Sequence, residues 1–396
     1  MKMHDFTIFN DTKLKFGTDY IDAELSEDLA QYGHKVLLTY GSGSIKASGL
    51  YARVMDLLKN FEVYELNGIA PNPKIDSVRA GQKLVQEHDI DVILAVGGGS
   101  VIDASKVIAS AKFYQGDPWD LVLNPSLRQD IKQMPYLDIL TLSATGTEMN
   151  KGSVISNPET HQKLGTFGPQ TPRVSYLDPT LTYSVSKWQT AAGSIDIFSH
   201  LTEQYFDRAS TDVFDGMIEG VMRTVIANAP LALANPDNYI ARGNLMISAT
   251  MALNSLVGSG NENGWTVHPV EHELSAYYDI THGVGLGILT PRWMEYILDD
   301  SSLSKFVQFA KNVWHLNGDD DWKLAHAAIQ ATYDWVKSLE VPTTLPGVGI
   351  EDEINFQAMA KSAVEVGRLA NGYKPMQAQD VVALYQASMT NDHFED

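Results

Sequence analysis

The chain has 396 residues and no cysteine, and its 29 basic against 49 acidic side chains leave a formal net charge of −20. Such an acidic surface repels phosphate backbones and anionic lipid, which argues against nucleic acid and membrane surfaces as partners. Without cysteine there are no disulfides, thiolate nucleophiles or cysteine-held zinc and iron–sulfur sites, so any metal must rest on His, Asp or Glu.

At 44% apolar and 20% charged residues, the composition is that of a globular chain, and the length predicts two domains. Residues 1–6 carry no signal-peptide pattern, and no run of about 18 apolar residues is apparent, so a cytoplasmic address is expected.

In chain order, residues 35–40 (Lys-Val-Leu-Leu-Thr-Tyr) form a short apolar strand ending at Gly41-Ser42-Gly43-Ser44. A helix from 45 to about 60, a strand at 61–66 and a helix at 75–88 follow. Residues 91–96 are almost uninterruptedly apolar, as in a strand buried on both faces. That run stops at Gly97-Gly98-Gly99, and Ser100 is placed to cap a helix continuing through Lys112. The alternation predicts a parallel sheet covered on both sides. Beyond about residue 180 the texture turns helical, with helices expected at 186–208, 212–232, 238–258, 303–314, 321–339 and 352–369. Asp178-Pro179 marks the joint. The expected organisation is an α/β domain over 1–180 and an all-helical domain over 181–396.

The turn 97–100 joins a buried strand to a helix start, where glycines let a phosphate approach free backbone N–H groups at the positive end of the helix dipole. Asp103 and Lys106 follow on its first turns. The turn 41–44 repeats the device one strand earlier. Its lining is small and neutral, with hydroxyls at Ser42 and Ser44 and a cation at Lys46. No carboxylate stands there to hold ribose hydroxyls and repel a 2′-phosphate, so NADP(H) is preferred over NAD(H) on charge grounds.

Asp196 and His200 are spaced i, i+4 and share one face of a predicted helix. His268 and His272 repeat that spacing about 70 residues later, and His282 follows where another helix starts. Imidazoles with a carboxylate suit a single Fe2+ or Zn2+ and are too nitrogen-rich for Ca2+ or Mg2+. Spacing alone does not decide which three or four of the five would bind.

The stretches Gly97-Gly98-Gly99-Ser100-Val101-Ile102-Asp103-Ala104-Ser105-Lys106 and Thr141-Leu142-Ser143-Ala144-Thr145-Gly146-Thr147-Glu148-Met149-Asn150 resemble the iron-containing (group III) alcohol dehydrogenases. So do Asp196-x-x-x-His200, the fourteen-residue step from His268 to His282, and Asp178-Pro179 with Leu181-Thr182. The likeness spans nearly the whole chain and is nearest to the butanol dehydrogenase and NADPH-dependent aldehyde reductase branch. It implies a dehydroquinate synthase-like fold, with a dinucleotide domain facing a helical metal domain across a cleft, and a homodimer. It implies Asp196, His200, His268 and His282 as metal ligands and His272 beside the substrate. Gly97, Gly98 and Ser100 would hold the pyrophosphate, with Gly41, Ser42, Gly43, Ser44, Gly99 and Asp103 as further cofactor-binding residues. Thr141 and Thr145 would line the nicotinamide half, Lys163 would reach its ribose, and Asn72 would add a contact.

The implied reaction is hydride transfer between the cofactor and a small alcohol or aldehyde, with Trp265, Tyr277 and Tyr278 as candidate apolar walls. His272 is placed either to relay a proton or to orient a ligand. A glycerol-dehydrogenase-like enzyme of the same fold and a cofactor-free metal-dependent hydrolase are the alternatives. Two departures from the family pattern stand out: Pro269 directly after His268, and Glu271, where a small residue is usual and which would either add charge near the site or face solvent.

Overall fold

The computed structural model describes residues 4–262 and 264–395. The apolar runs of the first half become six parallel strands, β1 (Lys13–Phe16), β2 (Lys35–Tyr40), β3 (Glu62–Leu66), β4 (Val92–Gly97), β5 (Tyr136–Leu140) and β8 (Val174–Leu177), in the order β1-β8-β5-β4-β2-β3. β6 (Gly152–Asn157) and β7 (Gln162–Phe167) form a separate antiparallel ribbon. Val36, Leu38, Val92, Leu94, Leu137 and Ile139 alternate onto one face of the sheet, in one core with Ile21, Leu25 and Leu29 of helix Tyr20–Ala30 and with Leu50 and Val54 of helix Leu50–Leu57. Helix Gly99–Ala111, buried along nearly its whole length, covers the other face, and Thr39 Oγ1 meets its Ser105 Oγ at 2.8 Å.

This α/β unit comprises Phe9–Val185 together with Pro236–Met246. The second compact unit holds Ser186–Asn235 and the chain from Ile247 onward, with a short piece ending at Ile8, and its regular elements are helices. A parallel-sheet α/β domain followed by a helical one is the expected fold class, the dehydroquinate synthase-like fold.

Several element boundaries depart from expectation, each for a local reason. The helix expected at 45–60 is broken into Ser44–Ala47 and Leu50–Leu57, because Gly49 takes the left-handed conformation at φ 82°. Ser100 does not cap its helix. The helix begins at Gly99 with Gly98 in the cap position, and no side chain occupies the first N–H groups. The helix expected at 238–258 stops at Leu253, where the Asn254 carboxamide accepts the Leu256 N–H at 3.0 Å and Ser255 turns to φ 71°. Helix Asp212–Ala234 is long and apolar enough to cross a membrane by length and composition, yet it is no uninterrupted apolar run, since Asp215, Glu219 and Arg223 fall within it. Its Glu219 accepts from the Tyr205 hydroxyl at 2.8 Å and Gln308 at 2.8 Å, and its Asp215 pairs with buried Lys305, as expected of a helix packed inside a protein bundle.

One buried ion cluster fastens the α/β unit. Lys15 of β1 donates to Glu24 at 2.6 Å and to Asp28, and Tyr176 of β8 also donates to Asp28, tying helix Tyr20–Ala30 to two strands. Burial works against the Asp28 charge, but the Lys15 and Tyr176 hydrogen bonds outweigh it and hold the carboxyl below its ordinary value. A carboxyl depressed in the folded state contributes stability above its unfolded pKa, near 4, and loses it as pH falls through the lower folded value. Lys15→Met is therefore expected to cost about 3 kcal/mol at pH 7. In urea unfolding across a pH series, the gap to wild type should narrow as pH approaches about 3.

Candidate metal centre

Helix Lys187–Tyr205 is buried from Thr190 to Tyr205, and it carries Asp196 and His200 one turn apart on one face. His268 stands in the first turn of helix Val267–Tyr278, where Pro269 is tolerated because the first N–H groups have no intrahelical partner. His282 is the first residue of helix His282–Ile297. Gly283 brings it close to Asp196, since a Cβ at that position would lie 2.0 Å from the Ala192 carbonyl oxygen. Only glycine permits this contact between the two helices.

Three imidazoles converge on one carboxylate oxygen. Asp196 Oδ1 lies 3.6 Å from His200 Nε2, 3.5 Å from His268 Nε2 and 3.8 Å from His282 Nε2. Ligands about 2.1 Å from one ion sit about 3.4 Å apart when tetrahedral, so this is the spacing of donors around a shared cation. Asp196, His268 and His282 offer donor atoms all within 4.8 Å of one another, and His200, stacked on His268 at 4.5 Å, joins them through Asp196. Asp196 Oδ1 and His268 Nε2, two of the converging atoms, are buried without a hydrogen-bond partner among the described residues. Buried polar atoms are rarely left so, and atoms of this chemistry fit a divalent ion.

The electrostatics agree with that fit. Burial opposes the Asp196 charge, yet His200, His268 and His282 hold its carboxyl well below the usual range. Burial pushes His200 down to about 3, so it is neutral at pH 7 and able to donate a lone pair. At His268 burial disfavours the cation, but Glu203 and Asp196 outweigh it and lift the imidazole to about 9. The cluster thus calls for positive charge at its centre, which a proton or a metal ion can supply.

Two carboxylates support the histidines from behind. Glu203, one turn beyond His200, contacts His268 Nδ1 and accepts the backbone N–H groups of Thr266 at 2.5 Å, Val267 at 2.6 Å and His268 at 3.1 Å. It caps a helix that has no side-chain cap of its own. Sequence reading passed over Glu203, although its spacing of seven from Asp196 puts it on the same helical face. Glu271 contacts His282 Nδ1 and is fully buried, which excludes the solvent-facing alternative. His272 stands to one side, 5.4 Å ring to ring from His282, and both are half-buried on the more open flank. Trp265 packs edge-on against His268 at 5.1 Å and His200 at 6.0 Å. Tyr277 and Tyr278 contact each other, and the Tyr278 hydroxyl accepts from Asn355 at 3.0 Å.

The residues expected to bind the cofactor gather in the α/β unit. Tyr40 pairs with Val96 and Gly97 with Leu140, so the turns 41–44 and 97–100 and Thr141 leave the carboxyl ends of neighbouring strands β2, β4 and β5. Connections from β2 and β4 run in opposite directions, which makes their junction a topological switch point, the usual crevice for a dinucleotide. Thr145 closes on the turn: a Cβ at Gly99 would lie 2.4 Å from its hydroxyl. Asn72 and Lys163 are linked through the ribbon, by the Ser156 N–H bond to the Pro73 carbonyl at 2.9 Å and the pairing of Ser156 with Lys163. Asp103 is engaged by protein groups: Thr147 donates to one oxygen, and the Val154 N–H to the other at 2.8 Å. Buried Lys106 completes that brace, donating to Thr147 at 2.6 Å, Asn150 at 2.9 Å and the Gly152 carbonyl at 2.8 Å. Lys46 lies over the rings of Tyr40 and Tyr51 at 5.2 and 4.7 Å.

This pairing of a dinucleotide fold with an Asp/His cluster defines an alcohol dehydrogenase or aldehyde reductase class, and comparison with known proteins agrees. The chain belongs to the iron-containing alcohol dehydrogenase family: residues 11–179 match the iron-containing alcohol dehydrogenase model, and residues 190–389 match the C-terminal model of the Fe-containing alcohol dehydrogenase family. It is 46% identical to NADH-dependent butanol dehydrogenase A of Clostridium acetobutylicum, over 95% of this chain and 97% of that protein. It is 37% identical to the NADPH-dependent aldehyde reductase YqhD of Escherichia coli, over 92% and 94%. The crystal structure of NADH-dependent butanol dehydrogenase A from Thermotoga maritima superposes with a TM-score of 0.91 at 34% identity, covering 98% of this chain and 99% of that one.

Proposed function

We propose that this enzyme interconverts small primary alcohols and aldehydes of the butanol type, using NADP(H) ahead of NAD(H) and one Fe2+ or Zn2+ held by Asp196, His200, His268 and His282. The observation that carries this reading is the approach of three imidazole Nε2 atoms to within 3.8 Å of one buried carboxylate oxygen. When bound, the ion would polarise a carbonyl oxygen and the reduced nicotinamide would supply hydride to the carbon.

The protein's own groups do the rest. Asp196 and the three histidines fix the point at which the substrate oxygen is held. The Trp265 ring offers an apolar wall beside it, which supports a short aliphatic substrate. The uncapped N–H groups after Gly98 and the glycines of 97–99 offer a seat for the pyrophosphate. Half-buried His272 stands where it can pass a proton between the substrate oxygen and solvent. For the 2′-phosphate, the support is the neutral turn 41–44 and the nearby cation of Lys46. The named relatives include both NADH- and NADPH-dependent enzymes.

Three measurements test the reading. His268→Ala or His282→Ala should abolish metal retention and turnover while NADPH binding, followed by fluorescence, stays within about threefold; an equal loss of cofactor affinity would place the cofactor residues wrongly. His272→Ala should lower kcat by about 10²-fold with bound metal unchanged. Unaltered turnover at every pH excludes the relay. The ratio of kcat/KM for NADPH to that for NADH should exceed one with butanal, and a clear NADH preference refutes the charge argument.

A further inference from the structure

Glu271 sits in a space made for it. Its side chain is fully buried, Ser275 donates to Oε1, and Oε2 contacts Nδ1 of His282. Room for the carboxylate comes from the facing helix, where a Cβ at Gly285 would lie 2.8 Å from Glu271 Cγ and 2.9 Å from Oε1. A buried carboxylate is costly unless its oxygens are hydrogen-bonded, so a cavity, a donor and an imidazole assembled around this one imply a task for it. The same arrangement recurs at Glu203 and His268 Nδ1. Glu203 also takes three backbone N–H groups at the start of the His268 helix, while Glu271 contacts the side chains of Ser275 and His282.

We propose that Glu271 is a positioning residue for His282: its carboxylate accepts the Nδ1–H, fixes the tautomer with Nε2 bare, and aims that nitrogen at the cation site beside Asp196. This rests on the metal reading above. A ring anchored at Nδ1 cannot rotate away and is the more basic ligand for the anion behind it, so the carboxylate governs how tightly the ion is kept. His282 has the greatest need of such an anchor, because its side chain is 22% exposed where those of His200 and His268 are 6% and 10%.

The test is Co2+ uptake by the full-length, metal-stripped protein, measured by competition with a chromogenic chelator and by the visible absorption of bound Co2+. Wild type is expected to take one ion per chain. Glu271→Ala should bind it about 10- to 100-fold more weakly with an altered Co2+ spectrum. Glu271→Gln, which keeps an acceptor for Nδ1–H, should recover part of that loss. Gly285→Ala, which crowds the carboxylate without removing it, should weaken binding in the same direction. Thermal unfolding of each metal-stripped variant confirms that it is folded. Wild-type affinity and spectrum in Glu271→Ala, with His282→Ala losing the ion in the same titration, would overturn the inference alone. Failure of wild type to bind Co2+ would overturn the metal reading and this inference with it.

Discussion

A carboxylate buried among three imidazoles is the constraint that the helical unit is built around. Asp196 cannot keep its charge out of water without compensation, and the residues that supply it come from its own helix and from two consecutive helices about 70 residues further on. Holding those helices at that distance requires the Gly283 contact with the Ala192 carbonyl, a carboxylate cap on the His268 helix, and a second carboxylate under His282. Each of these would be a liability elsewhere: a glycine inside a helix, and two buried acids. Here they are consistent with one another, because every one serves the placement of a nitrogen atom.

The α/β unit meets a different demand with the same economy. An acidic protein that binds an anionic cofactor needs donors that its overall field does not provide. On the proposed function, the backbone after Gly98 would provide them, since the helix begins without a side-chain cap and lies at the junction of β2 and β4. The buried Asp103–Thr147–Lys106 brace locks that helix to the segment reaching β6. Burial drives Lys106 down to about 8, so its charge depends on the carboxylates around it. Asp103, expected from its place near the glycine turn to face the cofactor, spends its oxygens on this brace.

Much of this was legible in the chain itself. Apolar runs of about six residues ending in glycine announced the central strands, because a strand buried on both faces has no polar position to interrupt it. Asp196 and His200 were visible as a pair because helical periodicity fixes i, i+4 neighbours in advance of any tertiary contact. Pro269 and Gly49 mark the limits of such reasoning. The first proved compatible with a helix start, where an N–H is not needed, and the second broke a helix that composition favoured by taking a left-handed φ.

The amino-acid sequence by itself determined the class of fold, the family, the absence of thiolate ligands and the five residues from which a metal site could be drawn, since these follow from residue type and local spacing. Tertiary structure alone decided that His200, His268 and His282 turn toward one oxygen of Asp196, that Glu271 is buried beneath His282, and that Glu203 links two helices. The reason is physical: local spacing sets which face a side chain occupies, but what it meets there depends on how closely two backbones approach, and at Gly283 a single missing methyl group settles that.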